Sequence, residues 1–145
     1  MGLDMYLTAE RYISQYSDPD LSAKANELLD DNPGPVRGII CEAIYWRKAN
    51  AIHKWFVDNI QSGDDNCGEY YVNKVDLEML RTLCKKVQAE PDRASELLPS
   101  QSGFFFGSTL YDDAYFYDIE QTIAILDSVL DSEVTDLEYY YSSSW

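Results

Sequence analysis

Phe116, Ile119, Ile123, Leu126 and Leu130 recur three or four residues apart, the spacing of one face of an α-helix. Asp112 or Asp113 stands where such a helix is capped. A single apolar stripe must be buried against another layer, and the rest of the chain offers two kinds. Leu3, Met5 and Leu7 alternate with Asp4 and Tyr6, and Leu137, Tyr139 and Tyr141 alternate with Glu138 and Tyr140. That period of two marks half-buried strands near both ends. Val36–Trp46 and Glu69–Val72 read as two more strands, one long and one short.

Helical segments fill the gaps. Residues 9–16 read as a short helix. Asp18-Pro19 opens a second, with Leu21, Ala25, Leu28 and Leu29 as its stripe and the run Asp31-Asn32-Pro33-Gly34-Pro35 as its stop. From Ala49 the period changes to helical, with Ile52, Trp55, Phe56 and Ile60 on one face, Asn50 as the expected cap and Gly63 as the end. Asn73 caps the next helix with Asp76 three residues on, and Leu77, Leu80, Cys84 and Val87 face the core. Pro91 begins one more turn of helix that ends at Leu97-Leu98-Pro99, and Ser102–Ser108 is an aromatic loop between glycines. The sum is an α+β fold. It predicts a single domain over residues 1–145, a small, mainly antiparallel sheet, and three to four helices packed mostly on one face.

With 46% hydrophobic and 14% aromatic residues the chain is no acidic disordered tail. No apolar run reaches the roughly 18–20 residues of a membrane span. The start, MGLDMYLTAER, lacks a basic leader region, so no secretion signal and no membrane are expected. Three cysteines, Cys41, Cys67 and Cys84, form no disulfide framework, which points to a reducing, cytoplasmic setting. Cys41 and Cys84 read as small core residues, and Cys67, in the polar turn Gly63–Gly68, as exposed.

Charge is placed unevenly. The last basic residue is Arg93, and ten acids follow it, so residues 94–145 hold −10 of the net −15. Direct binding of duplex nucleic acid needs the opposite field. Asp113, Glu120, Asp127 and Asp131 fall off the apolar stripe of the last helix as a negative ridge, with Tyr139, Tyr140 and Tyr141 in the strand beyond it. A solvated face is the plain account of such a ridge. The sharper one is a partner-binding surface that imitates a phosphate row and meets a basic groove, with tyrosines as anchors.

Tyr45–Phe56 is the densest local anomaly. Trp46, Arg47, Lys48, Asn50 and His53 fall where a strand meets a helix start. Free backbone N–H groups favour an anion there, so a small phosphate ligand or nucleotide is the alternative reading. The plainer one is a core tryptophan with cations that pair with nearby acids. A cysteine nucleophile needs an adjacent base, and Cys67 with His53 is the one pair on offer. No CxxC or HxxxH spacing, phosphate loop, dinucleotide fingerprint or nucleophile elbow is present. No metal, no cofactor and no catalytic residue is expected.

The blocks GLDMYL, YWRKANAIHKWF, CGEY and SGFFFGS followed by Tyr111-Asp112 resemble a family of small acidic proteins of bacteriophages, prophages and some bacteria. The resemblance runs from Gly2 to about Leu126. It implies an accessory phage protein in a bacterial host cytoplasm and carries no catalytic residue to this chain. The expectation is a non-enzymatic inhibitor of a basic host defence or nucleic-acid-processing protein, with homodimerisation open.

Overall fold

The computed structural model describes residues 2–29, 31 and 33–145. Four strands form one antiparallel sheet: β1 (Asp4–Tyr12), β2 (Gly38–Arg47), β3 (Tyr70–Val72) and β4 (Glu138–Ser144), in the order β2-β1-β4-β3. The helices are α1 (Pro19–Glu27), α2 (Asn50–Asn59), α3 (Lys74–Ala89), the four-residue α4 (Ala94–Leu97) behind a 3₁₀ turn, and α5 (Asp113–Leu130). The α+β expectation holds. No helix among the described residues is long and apolar enough to cross a membrane.

Alternation sorts the sheet into two faces. Leu3, Met5, Leu7 and Ala9 point inward and are buried, as are Ile44, Trp46, Val72, Tyr139 and Tyr141. The helices supply the facing layer: Phe56 of α2 stacks on Tyr141 at 3.9 Å, and Leu77, Leu80 and Cys84 of α3 meet Ile119 and Leu126 of α5 in the same core. Burying a side chain of this size contributes roughly 1.5–3 kcal/mol. The Trp46 indole N–H donates to Thr122 Oγ1 at 2.9 Å and so ties β2 to α5. Arg81 and Lys85 of α3 reach Asp127 of α5 at 3.1 and 2.9 Å.

Several expectations need correction. Residues 9–16 are no helix: β1 continues to Tyr12, because Ala9–Tyr12 pair with Gly38–Cys41 beyond a bulge opposite Leu7/Thr8. The α1 stripe is buried only at Ala25; α1 ends at Glu27, so Leu28 and Leu29 leave the helical phase and stand 83% and 56% exposed. Asn32, part of its expected stop, lies outside the described residues. Cys41 is exposed, not core, because burial in β2 is confined to its C-terminal end at Ile44 and Trp46, and its first half, Gly38–Glu42, is exposed. Cys67 is exposed and Cys84 buried, as expected. Burial pushes the Cys84 thiol up to about 12. The serines after Tyr141 are strand, so the chain's end lies between β1 and β3.

Two caps follow the sequence closely, and one turn. Asn73 Oδ1 accepts from the Asp76 N–H at 2.9 Å. Asp112 Oδ1 accepts from Ala114 and Tyr115 N–H groups, both at 3.2 Å. After α2 the chain turns at Gly63, whose N–H donates to Val57 O at 2.8 Å. Asn50 is no cap: it is the first residue of α2, whose preceding residue is Ala49, and its side chain is used elsewhere.

Candidate functional site

The first turns of α2 organise a buried polar network. Asn50 Nδ2 donates to the carbonyls of Phe106 and Ser108 at 2.9 and 2.8 Å, and its Oδ1 accepts from the Gln101 N–H at 3.0 Å. One turn on, His53 is fully buried between Tyr141 Oη, 2.7 Å from Nδ1, and Asp65 Oδ2, 3.0 Å from Nε2. A carboxylate accepts, so in the neutral ring Nε2 carries the proton and Nδ1 accepts from the tyrosine. Asp65 also accepts from the Trp145 indole at 3.0 Å. With both ring nitrogens occupied by Asp65 and Tyr141, His53 holds the fold and is not paired with Cys67.

This network pins the aromatic loop. Phe106 is buried with its ring edge-on to His53 at 5.2 Å and against Trp145 at 5.8 Å. The Leu3 N–H donates to Phe105 O at 3.1 Å. Gly103 is required by close approach: a Cβ there would sit 2.7 Å from the Phe106 ring. Phe104, at the top of this pinned loop, is 95% exposed. Four separate stretches thus meet here: Leu3, the segment 47–53, the turn at Asp65 and the loop 102–108.

Beside the loop lies a cleft of about 320 Å³ between the starts of α2 and α5. Arg47, Lys48 and Asn50 line one side, and Asp112, Tyr117 and Asp118 the other. Lys48 holds a left-handed backbone, φ 61°, fixed by its N–H on Leu3 O at 2.7 Å and by its stem against Gly107. A non-glycine residue adopts that shape at a cost of about 1–2 kcal/mol. Its ammonium has no ion pair among the described residues. No side chain caps α2. Burial, and then the Asp112 carboxylate, push Asp118 up to about 6. The five residues expected around an anion therefore divide: Arg47, Lys48 and Asn50 reach the cleft, while Trp46 and His53 are core. Arg47 is also paired with Asp4 at 3.0 Å.

The acidic set divides too. Asp113, Glu120 and Asp131 are exposed on α5, but Asp127 is held by Lys85 and Arg81, which keep its carboxyl below the usual range. Arg81 also approaches Asp131 at 3.5 Å. Of the ten acids after Arg93, Glu96, Asp127 and Asp131 meet a cation, and the other seven meet none among the described residues. Tyr139 and Tyr141 are buried, which removes them as partner contacts, while Tyr140 lies on the sheet's other face.

That face is the surface the sequence did not single out. Asp4, Tyr6, Thr8 and Glu10 of β1 line it, with Tyr45 of β2, Tyr71 of β3 and Tyr140 and Glu138 of β4. The hydrogen bonds and ring contacts of these side chains are with one another and with Arg47. The signal was present: Tyr6 alternates with the core residues Met5 and Leu7 in the first strand. No group of three or more His, Cys, Asp or Glu among the described residues is placed to hold a metal ion. The chain matches no protein-family model, no curated protein and no solved structure.

Proposed function

We propose that this chain is a non-enzymatic, phage-type accessory protein. It acts in the bacterial cytoplasm by occupying a basic surface of a host defence or nucleic-acid-processing protein. The observation that carries this reading is the seven acids beyond Arg93 that meet no cation among the described residues, Asp113 and Glu120 on the exposed side of α5 among them. Ordinary soluble faces intersperse both signs, whereas a one-sign field raises the encounter rate with a basic groove. Binding of this kind is salt-sensitive. A pull-down from bacterial lysate should yield one stoichiometric protein, released at roughly a few hundred millimolar salt as screening takes hold. The triple change Asp113→Asn, Glu120→Gln, Asp131→Asn should weaken its retention. Unchanged retention with an intact fold would overturn the reading.

A second reading is favoured by the cleft. Its 320 Å³ falls within the size range of small-ligand sites, and Lys48, whose ammonium has no ion pair among the described residues, lines it just before the uncapped start of α2. That suits a small anion or a nucleotide phosphate. A nucleotide at a hundred times its dissociation constant adds about 2.7 kcal/mol to stability, which a melting scan resolves. No shift across a panel of nucleotides would remove this reading.

A further inference from the structure

We infer that the open face of the sheet is a docking surface for an arginine-bearing segment of a protein partner, seated on Tyr71, Tyr140, Glu10 and Glu138. The inference rests on the reading of the chain as an acidic binding protein, and it moves the principal contact from α5 to the sheet.

An antiparallel sheet with one wet face is ordinary, and such a face is usually dressed with short polar and mixed charged residues. This one carries Tyr6, Tyr45, Tyr71 and Tyr140 together with Asp4, Glu10, Glu42 and Glu138. Its one cation from these strands, Arg47, is already taken by Asp4 at 3.0 Å. The face is therefore apolar enough to anchor a partner and acidic enough to select a basic one.

Arg47 shows how the face holds a guanidinium. Asp4 accepts from it, the Tyr45 hydroxyl donates to the same carboxylate, and the Tyr6 and Tyr45 rings meet at 5.4 Å beside the pair. The same parts recur across β1. The Tyr140 hydroxyl donates to Glu138 at 3.1 Å, and the Tyr71 and Tyr140 rings meet edge-on at 5.8 Å. Glu10 lies directly opposite Glu138 in the β1–β4 register. Here no cation is present: neither glutamate has an ion pair among the described residues. Two carboxylates facing one another across a ladder repel, and an incoming cation relieves that repulsion. A groove of about 820 Å³ bounded by Tyr12, Asp136 and Glu138 continues from this end of the face and gives a peptide room to leave it. Arginine fits better than lysine. Its planar guanidinium bonds a carboxylate through two donors and stacks on tyrosine, which a compact ammonium does not.

The test titrates the full chain with a nona-arginine peptide and a nona-lysine peptide by calorimetry at roughly physiological salt, where surface attraction beyond about 8 Å is screened. The expected result is tighter binding of the arginine peptide. The pair Tyr71→Ser, Tyr140→Ser and the isosteric pair Glu10→Gln, Glu138→Gln should each weaken it about tenfold, roughly the loss of one good stacked or ionic contact. The α5 triple change should weaken it less than about twofold, since α5 belongs to the helix layer and its acids make none of the stacked contacts. Equal affinity for the two peptides, or binding indifferent to both sheet pairs, overturns the inference. Binding lost with the α5 changes but kept with the sheet changes overturns this inference alone and leaves the acidic-binder reading standing. No binding of either peptide removes both. The glutamine pair changes no side-chain shape, so it decides the matter if the tyrosine pair fails to fold.

Discussion

Tyr140 and Tyr141 are neighbours in one strand and do opposite work. Tyr141 is fully buried, stacked on Phe56 and bonded to His53. Tyr140 lies on the other side of the sheet, bonded to Glu138 and touching Tyr71. The same holds strand by strand: Met5 and Leu7 build the core while Tyr6 and Thr8 line the open face. Strand parity, more than residue type, decides which aromatic residues build the core and which stand on the open face. Helices cover one face, and the acids and tyrosines of the other are left without a layer.

The largest effect that sharpens this comparison is Tyr141→Ala. It removes a stacked ring and the hydroxyl that His53 meets, and should cost about 3–5 kcal/mol, seen as a lower denaturation midpoint with an unchanged slope. Tyr140→Ala should leave the midpoint close to wild type. Equal losses at the two positions would break the division between faces. Next is Asn50→Ala, which strands the buried Phe106 carbonyl and removes the partner of the Ser108 carbonyl and of the Gln101 N–H. A loss of about 2–3 kcal/mol is expected, together with a changed near-ultraviolet aromatic spectrum as Phe106 loosens.

A smaller effect should run with pH. The folded state raises Asp118 to about 6, above the ordinary value of 3.8, so between these values the folded chain binds more protons than the unfolded one. Stability from this group is present at low pH and lost as pH rises through that window. Asp118→Asn should therefore raise the melting temperature at pH 7.5 relative to wild type and give no gain at pH 4. The smallest perturbation is thiol labelling of the native protein. Cys41 and Cys67 should react, and Cys84 only after unfolding, because it is buried with its thiol held protonated. Protection of Cys41 in solution would show its edge strand covered.

Much of the fold was legible because it rests on local periodicity. The stripe of α5, the Asn73 cap and the alternation at both chain ends are set by spacings of two to four residues, and each stands as read. Ala9–Tyr12 was illegible because its pairing partners lie about thirty residues away in Gly38–Cys41, and tertiary pairing overrode a weak helical pattern. Of the acidic ridge, Asp127 was lost to Arg81 and Lys85, a contact between helices that no spacing along α5 reveals. The anion segment kept Arg47, Lys48 and Asn50 and lost His53 for the same reason: Asp65 and Tyr141 reach it from 12 and 88 residues away. The open face was within reach, since Tyr6 and Tyr140 are off the core by parity alone.

The most direct measurement is a map of backbone amide chemical shifts as the nona-arginine peptide is added to labelled protein. The division between a building face and a binding face predicts that the shifts concentrate on β1, β3 and β4 around Glu10, Tyr71 and Tyr140, with α5 and the Lys48 cleft little changed. Shifts centred on Asp113, Glu120 and Asp131, or spread evenly over the acidic surface, would contradict it.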